Sequence, residues 1–216
     1  VVLSAGSVVE TGWVSHCKAV LHAYLGGQAG ASAMLEVLTG WQNPCGKLAE
    51  TIPLRYEDTP AARYFPGKKQ NAEYREGLYV GYRYYETANK AVRYPFGYGL
   101  SYTSFALSDL CVPESVRIDD EPLAVQVNVK NTGAMAGSEV VQLYVHDSAC
   151  CYDRPEKELK AFCKVYLQPG EEKTVTLTLK KEDFAGWYAD FGEWIVQPGR
   201  FELLLGISAE DIRLTA

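Results

Sequence analysis

The sequence predicts an α/β layered region followed by an all-β sandwich of immunoglobulin-like type, and three features carry that prediction. The first hundred or so residues mix apolar runs of unequal length with glycine punctuation. From about residue 105 the hydrophobic period drops to two, in short runs separated by turn residues. Between them lies a segment crowded with tyrosine, glycine and proline. The boundary falls between Tyr102 and Phe105, giving regions 1–104 and 105–216.

Residues 1–3 read as the middle of an apolar, buried strand, followed by the small-residue loop Ser4 to Ser7. This start carries neither a basic leader nor a cleavage site, so the chain is expected to begin inside a fold. In TGWVSHCKAVLHAYLGG, the residues Trp13, Cys17, Val20, Leu21, Tyr24 and Leu25 fall at helical spacing. They predict one amphipathic helix, ended by Gly26 and Gly27. A second short helix is predicted over 29–38, stopping at Gly40, and CGKLAETIP predicts a short strand halted by Pro53. From Pro53 to about Arg75 the chain is polar, proline-bearing and aperiodic, which marks a functional loop or a linker.

EGLYVGYRYYE, residues 76–86, sets Leu78, Val80, Tyr82 and Tyr84 against Tyr79, Gly81, Arg83 and Tyr85. That alternation predicts a strand covered on both faces. Its tyrosines then join the two regions as an aromatic layer, in preference to forming a sugar-stacking platform. Beyond the boundary, Val125, Val127 and Val129 alternate with Gln126, Asn128 and Lys130. SEVVQLYVHD, ELKAFCKVYL, EKTVTLTLK and RFELLLGI continue the pattern, and turns are signalled at 131–133, 168–170 and 197–199. About seven short strands in this length predict an antiparallel sandwich.

A net charge of −6 removes the electrostatic basis for a nucleic-acid partner, and no apolar run is long enough to predict a membrane-spanning helix. The six cysteines, Cys17, Cys45, Cys111, Cys150, Cys151 and Cys163, lack zinc-site spacing and are expected to be free thiols. Free thiols, no leader and no Asn-x-Ser/Thr acceptor together predict a cytoplasmic rather than a secreted location.

Candidates for chemistry are sparse. The run Gly26-Gly27-Gln28-Ala29-Gly30 reads as helix-to-helix punctuation, because it follows a predicted helix and lacks the Lys-Ser/Thr of a phosphate loop. His16, His22 and His146 are scattered, and Ser4, Ser7 and Ser101 have no nucleophile elbow around them. Among the carboxylates, Glu57, Asp58, Glu73 and Glu76 border the long loop, and Glu76 is retained as a weak substrate-binding candidate. Hydrolysis of a glycosidic bond needs two carboxyl groups flanking one sugar, and spacing in the sequence does not show that any two converge.

Several stretches resemble glycoside hydrolase family 3, the β-glucosidase and β-xylosidase family, in its C-terminal portion. VVLSAGSVVE, AVLHAYLGGQAGASAMLEVLTGWQNPCGKLAETIP, YREGLYVGYRYYE and YPFGYGLSYTSF are similar to its strand, helix and aromatic motifs. VNVKNTGAMAGSEVVQLYV, ELKAFCKVYLQPGEEKTVTLTL and VQPGRFELLLGISAEDIRL resemble its fibronectin type III-like domain. The resemblance implies a partial α/β layered domain plus a fibronectin type III-like β-sandwich. It also implies a retaining β-glycosidase whose (β/α)8 barrel and both catalytic carboxylates lie outside these residues, so the chain alone is expected to be inactive. Cys45 stands where the family prefers serine, and Cys150 and Cys151 fall in a variable loop.

No cofactor or metal is implied. The implied partners are the barrel of the same enzyme and an oligosaccharide or aryl β-glycoside, and a homo-oligomer stays open. Ser4 and Ser7, at a strand's carboxyl end, are the other weak substrate-binding candidates, as part of a wall toward the sugar. The competing reading is a stand-alone carbohydrate-binding or interaction module. The residues do not choose glucoside over xyloside.

Overall fold

The computed structural model describes residues 1–68, 70–117, 121–148 and 153–216. It divides into two compact units, Val1–Tyr102 and Thr103–Ala216. Cys150 and Cys151 lie outside the described residues.

In the first unit, β1 (Val2–Leu3) pairs in parallel with β2 (Leu21–His22), Val2 opposite Leu21. The single helix expected across residues 13–25 is not there. A three-residue 3-10 turn, Val14–His16, precedes β2. The Leu21 and Ala23 N–H groups donate to the carbonyls of Val1 (2.9 Å) and Leu3 (2.8 Å), bonds that a helix would have kept within the segment. Apolar runs of this length fit either state, and pairing with β1 decides between them. Val1 and Val2 are also open to solvent rather than buried as expected.

The glycine run at 26–30 therefore joins a strand to a helix, correcting the helix-to-helix reading. Gly27 takes φ +63°, and a Cβ on Gly26 would come within 2.9 Å of the Gly30 backbone. Helix α1 (Gly30–Leu38) ends in a Schellman motif: Trp41 N–H donates to Glu36 O (2.9 Å) and Gly40 N–H to Val37 O (3.1 Å), with Gly40 at φ +78°. Strand β3 is only Ile52–Pro53, antiparallel to β4 (Val92–Tyr94).

The tyrosine run is not a strand. Gly81 (φ +57°) opens α2 (Tyr82–Thr87), and a second Schellman motif closes it on Asn89 (φ +48°). There Lys90 N–H reaches Tyr85 O (2.8 Å) and Asn89 N–H reaches Glu86 O (3.0 Å). Helical geometry turns Tyr82 onto Phe96, with rings stacked 5.0 Å apart, and buries Tyr85. The NPCGKL and YPFGYGLSY segments then zip together. Leu48 and Gly97 exchange backbone bonds with Tyr98 and Leu48 (2.8 Å each), and Asn43 Oδ1 accepts from the Ser101 hydroxyl and Tyr102 N–H (2.9 Å each). A Cβ on Gly99 would lie 2.3 Å from Gly46 O, so this approach requires glycine.

The second unit is a sandwich. One sheet has the order β5 (Phe105–Cys111), β6 (Leu123–Asn131), β9 (Glu172–Leu179). The other orders β13 (Ile212–Thr215), β12 (Phe201–Gly206), β7 (Gly137–Asp147) and β8 (Glu158–Leu167). A short helix, α3 (Lys181–Phe184), leads into the hairpin of β10 (Gly186–Tyr188) and β11 (Glu193–Ile195). Val125, Val127 and Val129 are fully buried with Val141, Leu143, Leu167, Leu179 and Leu205, while Gln126 and Lys130 face water. Period-two alternation thus becomes a two-layer core.

Asn131, expected to be part of a turn, is instead fully buried and satisfied. Its amide nitrogen donates to Met135 O (2.8 Å) and Leu167 O (3.1 Å), and its Oδ1 accepts from the Thr103 hydroxyl (2.7 Å) and Gly133 N–H (3.1 Å).

Candidate functional site

Parallel pairing puts the carboxyl ends of β1 and β2 side by side, the place where open α/β sheets bind ligands. Ser4 follows β1, and its hydroxyl donates to the Tyr24 carbonyl (3.1 Å). Ser7 is exposed on the same loop. Beside them Tyr24 adopts φ +48°, a costly conformation for a bulky residue, and its ring lies 3.9 Å from that of His22. Burial raises the Tyr24 phenol pKa above its ordinary value, and the facing Glu50 carboxylate raises it further. The phenol therefore stays protonated, and its hydroxyl, like Glu50 Oε1, is buried without a hydrogen-bond partner among the described residues.

Glu76 stands on a different element, half-buried ahead of α2, with its carbonyl accepting from Tyr79 N–H (2.9 Å). Two of the other loop acids, Asp58 and Glu73, are tied to cations. Asp58 pairs with Arg55 (3.3 Å) and Lys90 (3.8 Å), and Glu73 pairs with Arg75 (2.6 Å). The hydrogen bond from Arg55 holds Asp58 below the usual carboxylate range, which unsuits it as a general acid at neutral pH. The cluster Ser4, His22, Tyr24 and Glu50 can hold and orient hydroxyl groups. It has one carboxylate where retaining hydrolysis uses two.

In the sequence His22 is one scattered histidine and Tyr24 lies on the helix read across residues 13–25, while the approach of Glu50 to Tyr24 exists only in the folded unit. Taken as a strand, the same stretch sets Tyr24 next to Ser4. Among the described residues, no group of three or more His, Cys, Asp or Glu could hold a metal ion. The described cysteines Cys17, Cys45, Cys111 and Cys163 are free thiols.

Residues 1–102 match the glycosyl hydrolase family 3 C-terminal domain, and residues 139–209 match the fibronectin type III-like domain. The chain belongs to glycoside hydrolase family 3. It is 51% identical, over 99% of its length, to the thermostable beta-glucosidase B of Acetivibrio thermocellus, and covers 28% of that protein. It is 41% identical, over its whole length, to an exo-alpha-(1->6)-L-arabinopyranosidase of Bifidobacterium breve, again covering 28%. The crystal structure of a Bifidobacterium adolescentis β-glucosidase superimposes on the whole chain with TM-score 0.94 at 41% identity, the chain covering 32% of it. Beta-glucosidase 3B of Thermotoga neapolitana, solved with glucose, gives TM-score 0.91 at 41% identity and 30% coverage. The chain spans under a third of the length of these family 3 relatives, and it is to their C-terminal portion that it corresponds.

Proposed function

We propose that these residues form the carboxyl-terminal, non-catalytic scaffold of a retaining β-glycosidase acting on terminal sugars of β-glycosides, with a β-glucoside as substrate. The observation that carries the reading is end-to-end similarity to proteins named β-glucosidases, of which the chain covers less than a third. The site geometry agrees, since Ser4, Tyr24 and Glu50 supply a hydrogen-bonding wall without a paired carboxylate. The remaining partner is a (β/α)8 catalytic barrel, for which the exposed Leu25, Leu35, Leu38 and Trp41 offer apolar surface. An arabinopyranosidase shares this region about as fully as several β-glucosidases do, which supports a role independent of which sugar is cleaved. Free thiols at all four described cysteines suit a reducing, cytoplasmic compartment.

The test compares the intact protein with these 216 residues on a chromogenic aryl β-glucoside. Turnover is expected from the intact protein only. Turnover by the 216 residues alone would show that a catalytic pair lies within them and overturn the scaffold assignment.

A further inference from the structure

Four aromatic rings are concentrated on the β10–β11 hairpin, three of them exposed. Trp187 and Trp194 are directly opposed in its register, so both indoles stand on one face. Their neighbour Tyr188 points to the other face and is buried. The hairpin is thus rooted in the sandwich through Tyr188 and displays the indoles outward, Trp187 50% and Trp194 67% exposed. The turn adds Phe191, also 67% exposed, where the Phe191 and Gly192 N–H groups both donate to Tyr188 O (3.1 and 2.8 Å). The indole centroids are 5.7 Å apart and the planes meet at 63°. Asp190 is exposed in the turn, while Glu193, exposed as well, is opposite Tyr188 in the register and so stands on the other face.

We propose that this hairpin is a binding site for a soluble β-linked glucan chain, one pyranose unit of which lies in the angle between Trp187 and Trp194. The choice of a β-glycan as occupant rests on the β-glycosidase reading above. A β-gluco pyranose carries its substituents equatorially, so its axial C–H bonds form apolar faces and its hydroxyls ring the edge. An indole takes the face, and a carboxylate such as that of Asp190, in the turn, accepts from the edge. Rings at 63° form a floor and a wall rather than a flat strip, a shape that suits one unit of a flexible chain and not a crystalline surface.

Other occupants fit less well. Asp190, Glu193 and a net charge of −6 oppose an anionic lipid surface. Three half-exposed rings supply only a few hundred Å², short of the roughly 800 Å² per partner of a stable dimer.

The experiment is affinity electrophoresis of the intact protein through gels containing hydroxyethyl cellulose, laminarin or the α-glucan pullulan, beside a blank gel. Retardation is expected in at least one β-glucan gel and not in pullulan. Trp187→Ala with Trp194→Ala should weaken the apparent affinity by about tenfold or more, as for loss of stacked aromatics. The paired Tyr replacements, which keep a ring, should retain most of it, and hydrolysis of an aryl β-glucoside should be unchanged.

Native protein that runs unretarded in every β-glucan gel overturns the proposal. So does a double Ala variant retarded like the native protein, since binding then lies elsewhere. A variant of lower sedimentation mass with unchanged retardation identifies the hairpin as a contact between copies, and a lower melting temperature with unchanged retardation identifies it as a contact within the polypeptide. Either result also overturns the proposal. Failure of the native protein to hydrolyse the aryl β-glucoside would sink the glycosidase reading separately, because retardation is scored without turnover.

Discussion

In the Thr103–Ala216 unit the large aliphatic residues point inward, with Val125, Val127, Val129, Leu143 and Leu205 fully buried. In the Val1–Tyr102 unit Leu25, Leu35, Leu38 and Trp41 are each more than half exposed. There the buried hydrophobic residues, among those described, are Ile52 and Tyr85. The difference follows from strand direction. Two antiparallel sheets close a core between them without further help. A parallel pair such as β1–β2 needs covering on both faces, and α1 presents Leu35 and Leu38 to solvent instead of to that pair. Autonomous stability therefore belongs to the second unit, while the first is shaped for packing against more chain.

The sharpest way to break this comparison is to make the same kind of truncation in each unit. Leu143→Ala removes a fully buried side chain and should destabilise the second unit by about 2–5 kcal/mol. Leu35→Ala, at 60% exposure, should shift the stability of this 216-residue chain by no more than about 0.5 kcal/mol. In the intact protein Leu35→Ala should become the costlier change by well over that margin. Urea unfolding of both variants in both contexts measures this. Equal effects of Leu35→Ala in the two contexts would mean that α1 is covered by nothing further.

The same contrast governs what could be read from the sequence. The sandwich was legible because each strand repeats one rule, and Val125, Val127 and Val129 obey it beside Gln126 and Lys130. Its exception was Asn131, whose turn-like neighbours hid a buried amide with four hydrogen bonds. The first unit was legible in family and in helix α1, whose Gly40 stop has a local cause.

It was not legible where long-range pairing overrode local pattern. Leu21 and Ala23 bond to the chain near residue 2, and YRYYET coils because Gly81 and Asn89 can take positive φ at its ends. Of the candidate site, Ser4 was found from its place after a strand. Tyr24 and Glu50 were missed, because their proximity exists only once β2 lies beside β1.

A second test sharpens the account of the sandwich itself. Asn131→Ala removes four hydrogen bonds, to two carbonyls, a hydroxyl and a backbone N–H. Losing a net bond is worth about 1 kcal/mol and leaving a buried group unpaired about 1–3, so a total near 3 kcal/mol is expected. Asn131→Asp keeps the acceptor but places carboxylate oxygen against the Leu167 and Met135 carbonyls, and should be no better tolerated. Thermal unfolding scores both. A loss under about 1 kcal/mol for Asn131→Ala would show that the turn holds without its buried clamp.

The smallest effect tests whether the first unit has a core at all, through Tyr85. Burial first, then the neighbouring Tyr84 and Asp58, push its phenol up to about 12 from an ordinary 10.0. Between those two values the unfolded chain releases the proton and the folded unit keeps it, so the unfolded state gains as pH rises. The stability of the first unit should therefore be unaffected by this group below pH 10, fall as pH climbs toward 12, and level off beyond. Tyr85→Phe removes that slope but not the ring, so the native and variant melting curves of the first unit should diverge only in the alkaline window, with the variant the less pH-sensitive. Parallel curves throughout would mean that Tyr85 reaches water in the working fold, leaving Ile52 as the buried large hydrophobic residue of the first unit among those described.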